Sequence, residues 1–158
     1  MLTALIKLLV LSMHLPQGYT VTTDITQMDV ELIHLYLSVA SYWAQGIPLS
    51  TVQKSMQHSL CFAMLHETST VAFARIVSDY ATFAYLCDVF VLPAHRGRGL
   101  SKYLMQSIHD HTALQGLRRW TLFTKDAHGL YQQFGWEVMT SEGAQRCMNI
   151  VHTNIYLQ

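Results

Sequence analysis

Charge is scarce in this 158-residue chain. Only 13% of its residues are Asp, Glu, Lys or Arg, and ten bases balance ten acids for a formal net charge of zero. A broadly basic surface that would track a nucleic-acid backbone is therefore missing, and no nucleic-acid partner is expected. Cysteine is limited to Cys61, Cys87 and Cys147, an odd number at wide spacing among apolar neighbours. That pattern excludes a disulfide-stapled scaffold and predicts buried free thiols in a reducing compartment, the cytoplasm. No Cys-x-x-Cys or His-Glu-x-x-His spacing occurs, so the nine histidines point to no metal site. The Gly-Lys-Ser/Thr ending of a Walker loop is also absent.

What the chain does have is apolar residues, 51% of the total, enough to exclude a disordered chain. Its length suits one domain with a substantial core and, when compact, a radius of gyration of about 15 Å. The expected division is an N-terminal extension over 1–15 and a single domain over 16–158. Met1–Leu15 is apolar with one early lysine, Lys7. It lacks a clear small-residue cleavage site and is short for a membrane span, so no membrane partner is expected. It reads as a helical extension or as sequence ahead of a true start at Met13, with a secretory signal as the third alternative.

Periodicity orders the rest. Tyr19–Asp24 alternates as a first strand. Asp29 opens a helix with Leu32, Leu35 and Val39 on its apolar face, widened by Ile33 and Tyr36. Ser41–Pro48 is an aromatic-rich turn, and Ser50 is the expected cap of a short helix ending near His58. Leu60–His66 and Thr70–Val77 predict two paired strands, and Ala81–Leu92 a third rich in aromatic and β-branched residues. Leu100, Leu104, Ile108 and His111 mark a helix that Gly116 stops. A strand at Arg119–Phe123, a helix at Ala127–Phe134 and strands at Trp136–Met139 and Cys147–Ile155 complete the pattern. Consecutive hairpins followed by strand-helix-strand-helix-strand imply an α/β (α+β) class: a twisted mixed, mostly antiparallel sheet flanked by helices on both faces.

One run stands out: Asp88-Val-Phe-Val-Leu-Pro-Ala-His-Arg-Gly-Arg-Gly-Leu-Ser101. It reads as a buried strand, a proline break and a basic glycine turn that opens into a helix. Glycines let main-chain N–H groups converge, and a helix start adds unpaired donors and the positive end of the dipole. Gly97, Gly99, Leu100 and Ser101, with Arg96 and Arg98 beside them, therefore predict a phosphate or pyrophosphate site. Charge is segregated to match: residues 96 to 125 carry six of the ten bases and one acid, Asp110.

Two motifs together resemble the GCN5-related N-acetyltransferases. Val91-Leu-Pro-Ala-His-Arg96-Gly-Arg-Gly99-Leu-Ser101 is similar to that family's pyrophosphate-binding turn, with Ser101 where Gly or Ala is usual. Asp126-Ala-His-Gly-Leu-Tyr131-Gln-Gln-Phe-Gly135-Trp136 is similar to its late helix carrying a tyrosine before a Gly-aromatic pair. The resemblance implies a GNAT-like acyl-CoA N-acyltransferase fold. It further implies acetyl-CoA as donor cosubstrate, no metal, a small-molecule or peptide amine as acceptor and a homodimer. It also implies that the main chain at Phe90 and Val91 borders the acetyl-thioester and the pantetheine arm.

Candidate roles follow. Tyr131 is either a general acid for the departing thiolate or an amphipathic-helix aromatic. Asp88, an acid within an apolar strand, is either an acceptor-binding carboxylate or base acting through water, or a structural partner of Arg75, and Arg75 is itself a candidate acceptor-binding residue. Tyr42 and Trp43, with Ile47, are either an acceptor-pocket wall or core, and Tyr85 shares that ambiguity with Tyr80 and Phe83. The function expected is acetyl transfer to a primary amine through a ternary complex. The alternative is a CoA-binding regulatory module with little or no transferase activity.

Overall fold

A computed structural model describes residues 14–157; the expected extension over 1–15 lies almost wholly outside them. Five strands form one sheet in the order β1 (Tyr19–Thr22), β2 (Leu60–His66), β3 (Ser69–Ser78), β4 (Phe83–Val91) and β5 (Arg119–Leu122). The first four are antiparallel neighbours, and β4 and β5 pair in parallel. The mixed, mostly antiparallel sheet therefore matches the pattern in the sequence.

Helices cover both faces. On one lie α1 (Val30–Leu35), a π-helical turn (Tyr36–Ala40) and α2 (Leu49–Gln57). Ile33, Leu37, Val52 and Met56 from this layer pack with Cys61, Ala63, Leu65, Phe73 and Phe90 of the sheet. On the other face α3 (Leu100–Asp110) buries Leu100, Leu104, Met105 and Ile108 against Phe62, Met64, Ile76, Ala84 and Leu86. Each such aliphatic side chain contributes about 1.5–3 kcal/mol relative to exposure. Two short helices follow β5: α4 (His128–Gln132) and α5 (Ser141–Gln145).

Local chemistry sets the element ends. Asp29 accepts from the Leu32 N–H and caps α1. Asp79 accepts from the N–H groups of Ala81, Thr82 and Phe83 and shapes the β3–β4 turn. Its carboxyl is held below the ordinary range, first by its bond to the Thr82 side chain and then by these amides. Pro48, not Ser50, occupies the cap position of α2, because its fixed φ of −66° already suits the helix entry. The helix at Leu100 ends at Asp110 rather than at Gly116. His111 turns extended at φ −64°, ψ 126° and starts a 3-10 turn over Thr112–Leu114.

Neither Trp136–Met139 nor Cys147–Ile155 forms a strand. Period-two patterning yields a half-buried strand only where a sheet edge and a covering layer receive it. After the left-handed Gly135, Trp136 is instead fixed by side-chain bonding, donating Nε1–H to His109 Nε2 at 3.0 Å. In the last segment Met148, Ile150 and Val151 stay exposed, and Tyr156 packs on the α1–α2 cluster. The cysteines also differ from one another: Cys61 is buried, Cys87 half-buried and Cys147 exposed.

Candidate active site

The site begins where β4 loses its parallel partner. Leu86–Leu122 is the last pair between β4 and β5, so the β5-facing edge of Cys87–Val91 has no strand beside it. In the same stretch β4 carries a bulge against β3: Phe73 pairs with Phe90 and Arg75 with Cys87, leaving Asp88 and Val89 opposite Ala74. Asp88 takes the extra residue's turn at φ 56°, a left-handed conformation that Asp tolerates better than most residues. The sheet thereby opens into a gap between β4 and β5.

At the carboxyl end of β4, Pro93–His95 make a 3-10 turn and Arg96–Gly99 lead into α3. Gly97 and Gly99 stand at φ 74° and 76°, which L side chains rarely adopt, and a Cβ at either would meet nothing within 4 Å. The space in front of them is therefore open rather than packed. Five successive amides, Gly97 to Ser101, have no acceptor among the described residues. Their convergence at the start of an eleven-residue helix suits an anion.

The two arginines of the turn differ. Arg96 Nε donates to the Val91 carbonyl at 3.0 Å and its terminal nitrogen to Tyr36 Oη at 3.1 Å. Tyr36 in turn stacks on Phe90 at 3.9 Å between centroids. Arg96 thus ties the end of β4 to the π-helical turn, while Arg98 is exposed.

A cavity of about 400 Å³ runs from this turn along Val89, Phe90 and Val91 to Leu130 and Tyr131. A second, about 480 Å³, is lined by Tyr42, Trp43, Tyr85, Asp88, Phe123 and Tyr131, among others. Tyr131 borders both. Its ring is buried and sits 6.1 Å from that of Trp136. Its hydroxyl has no hydrogen-bond partner among the described residues. Burial, with smaller effects from Tyr42 and Asp126, pushes that hydroxyl up to about 12. It therefore keeps its proton throughout the neutral range.

Asp88 faces the second cavity with both oxygens engaged. Arg75 Nε donates to Oδ2 at 2.7 Å and Trp43 Nε1 to Oδ1 at 3.2 Å. Arg75 also donates to Ser59 Oγ at 3.1 Å. The proposed Arg75–Asp88 pair is thus formed, and it anchors Trp43 at the cavity wall. Arg75 stands behind Asp88 and lines neither cavity.

Cys87 also lines the second cavity, but burial and then the Asp88 charge push its thiol up to about 12. The thiol donates to the Arg75 carbonyl, so it is a poor nucleophile.

Of the other sequence candidates, Tyr42, Trp43 and Tyr85 line the second cavity. Ile47 is core, and Tyr80 and Phe83 are exposed away from it. The sequence reading missed Phe123 and Asp126, which follow β5 and close the gap from the far side. It also missed His109, whose ring lies against Trp120 and Phe134 and accepts from Trp136, bracing the segment behind Tyr131. No spacing rule flags such contacts, because each joins residues brought together only by tertiary packing. Among the described residues no group of three His, Cys, Asp or Glu is arranged to hold a metal, and no helix is long and apolar enough to cross a membrane.

Comparison with known proteins agrees with this geometry. The model of the acetyltransferase (GNAT) family matches residues 30–136. A crystal structure from Xanthomonas campestris pv. campestris, provisionally assigned as an acetyltransferase of that family, is 48% identical. It covers 92% of this chain and 100% of its own, with a TM-score of 0.86. A Gibberella zeae protein, provisionally named an acetyltransferase, is 30% identical over 135 residues, 72% of this chain and 75% of that protein. Glucosamine-6-phosphate N-acetyltransferase from Arabidopsis thaliana shares the fold at 12% identity, with a TM-score of 0.60 over 86% of this chain and 99% of its own.

Proposed function

The chain belongs to the acetyltransferase (GNAT) family, and from that premise we propose that it moves an acetyl group from acetyl-CoA to a primary amine by direct attack within a ternary complex. The observation that carries the reading is the run of five amides at Gly97–Ser101 without an acceptor among the described residues, beside a sheet gap that leads to Tyr131. Acetyl-CoA supplies an acyl group already activated as a thioester.

The amides of Gly97–Ser101 grip the pyrophosphate, with Arg98 adding charge from solvent. Arg96 holds the β4 end and Tyr36 in place, so its contribution to donor binding runs through positioning. The bulged main chain at Val89–Val91 borders the thioester and directs amide dipoles at its carbonyl oxygen, where negative charge develops. Bringing the amine and the thioester together in one gap removes most of the entropic cost of their meeting.

The amine nitrogen forms the new N–C bond as the C–S bond breaks. Tyr131 donates its hydroxyl proton to the departing sulfur, and the proton released by the nitrogen returns to the phenol through water. A phenol near 12 is a weak acid beside an ordinary thiol of about 8.5. The same desolvation makes a thiolate in this gap more basic, so the transfer completes as charge builds on sulfur. Asp88, already shared by Arg75 and Trp43, shapes the acceptor wall, and solvent takes the ammonium proton before attack. A raised Cys87 thiol makes an acetyl-cysteine intermediate unfavourable and supports the direct route.

The test is incubation with acetyl-CoA and a broad pool of amines, read by mass spectrometry, beside calorimetry with acetyl-CoA. The proposal expects both binding and an acetylated amine. Tight binding with no product across the pool would instead mark a CoA-binding regulatory module.

A further inference from the structure

The second cavity is walled by aromatic rings whose exposure core packing does not explain. Tyr42 and Trp43 meet edge to face at 4.9 Å between centroids, and Tyr85 and Phe123 meet at 6.0 Å. Phe123 is 70% exposed, Tyr42 52% and Trp43 41%. All three line the same space, beside Tyr131 and the β4 bulge.

Charge in that space is equally specific. Asp88 and Asp126 are its acids, and Lys125 is its one base among the described lining residues. Lys125 Nζ lies over the Tyr42 ring at 5.6 Å, and its amide donates to Tyr42 Oη at 3.0 Å. Arg75 compensates Asp88 from behind. Asp126 makes no ion pair among the described residues. No bidentate arginine clamp faces the cavity, so a phosphorylated or carboxylated acceptor would meet two acids and a single lysine already drawn to a ring face.

We infer that the acceptor is an arylalkylamine: a primary amine carried by a flat aromatic body and lacking any anionic group. The ring enters between the Tyr42–Trp43 and Tyr85–Phe123 pairs. Its cationic nitrogen is drawn toward the Asp88 and Asp126 end, where Tyr131 and the thioester edge converge. Offset and edge-on ring contacts give the selectivity, and the free Asp126 carboxylate favours the cation on entry. The inference rests on the transferase reading for its kinetic readout only, because acceptor binding is measurable without turnover.

The test compares 2-phenylethylamine, n-butylamine, spermidine and glucosamine 6-phosphate with the CoA-loaded protein by calorimetry, and with acetyl-CoA by thiol release. The expected result is a preference of at least about 10-fold for 2-phenylethylamine over n-butylamine in both affinity and kcat/KM, with glucosamine 6-phosphate poorest. Phe123→Ala, at an exposed position, should shrink the aryl-to-alkyl ratio several-fold. If spermidine or glucosamine 6-phosphate binds and reacts best, the inference fails while the transferase reading stands. If 2-phenylethylamine binds selectively but no amine is acetylated, the transferase reading fails while the pocket assignment stands. Equal binding of aryl and alkyl amines, or an unchanged ratio in Phe123→Ala, overturns the inference.

Discussion

The two halves of the candidate site are built from different materials. The end proposed for the donor is main chain: two left-handed glycines, a helix start and five amides without an acceptor among the described residues. The end proposed for the acceptor is side chains: four aromatic rings and Asp88, held from behind by Arg75 of β3, contributed by the loop after the π-helical turn, β4 and the segment after β5. A backbone site is set by local φ values and tolerates few residue types. A side-chain site can be re-lined without disturbing the sheet. Donor chemistry should therefore be rigid in this fold and acceptor choice adjustable.

The sharpest way to break that contrast is at the rigid end. Gly99→Val puts a β-branched residue at φ 76°, which costs about 1–2 kcal/mol in backbone strain alone. Re-aiming two or three charge-assisted amide bonds should lower acetyl-CoA affinity by roughly 100-fold or more, read by calorimetry. An unchanged Kd would show that the main chain is not the grip. Next in size is Tyr131→Phe, which leaves the ring and its packing on Trp136 intact. Turnover at saturating substrates should fall by about 100-fold or more, with acetyl-CoA affinity little changed. Equal turnover in a chemistry-limited assay would remove Tyr131 as proton donor. Because its hydroxyl stands near 12, the wild-type rate should show no alkaline decline from this group below about pH 10.

Asp88→Asn separates two readings within the side-chain half. Arg75 would lose its charge partner at a site where the two side chains are only 17% and 12% exposed. Stability should drop by about 3 kcal/mol in denaturant unfolding. As a positioning residue, Asp88 should leave the pH dependence of kcat in place. Loss of the acid limb of that profile would mark it as the base instead.

The smallest effect expected is at the brace behind Tyr131. Burial lowers the pKa of His109 below its ordinary 6.5. The unfolded chain therefore binds a proton first as pH falls through 6.5, and this contribution to stability is present above that value and lost below it. Melting temperature followed from pH 7.5 to 5 should decline, and His109→Gln should flatten the slope. An identical slope in the variant would place the sensitivity elsewhere.

Legibility in the sequence follows the same division. Arg96–Ser101 could be read as a turn into a helix because glycine spacing reports backbone conformation directly. The strands from Leu60 to Val91 were legible for a related reason: β2, β3 and β4 are central, so alternation and burial agree. Trp136–Met139 and Cys147–Ile155 carry similar patterning without the edge contacts that would make them strands. The acceptor cavity was only half visible. Tyr42, Trp43, Tyr85 and Asp88 drew notice as aromatics and an acid in unusual company. Phe123 and Asp126 did not, because only the divergence of β5 from β4 after Leu122 brings them to the gap.

Under the proposed function the amides of Gly97–Ser101 hold linked phosphates. The most direct measurement is an amide NMR titration of the protein with coenzyme A, compared with pantetheine, which lacks the pyrophosphate. Large shifts confined to Gly97–Ser101 and their neighbours with coenzyme A, and absent with pantetheine, are the predicted result. Saturating coenzyme A that leaves those five amides unmoved would contradict it.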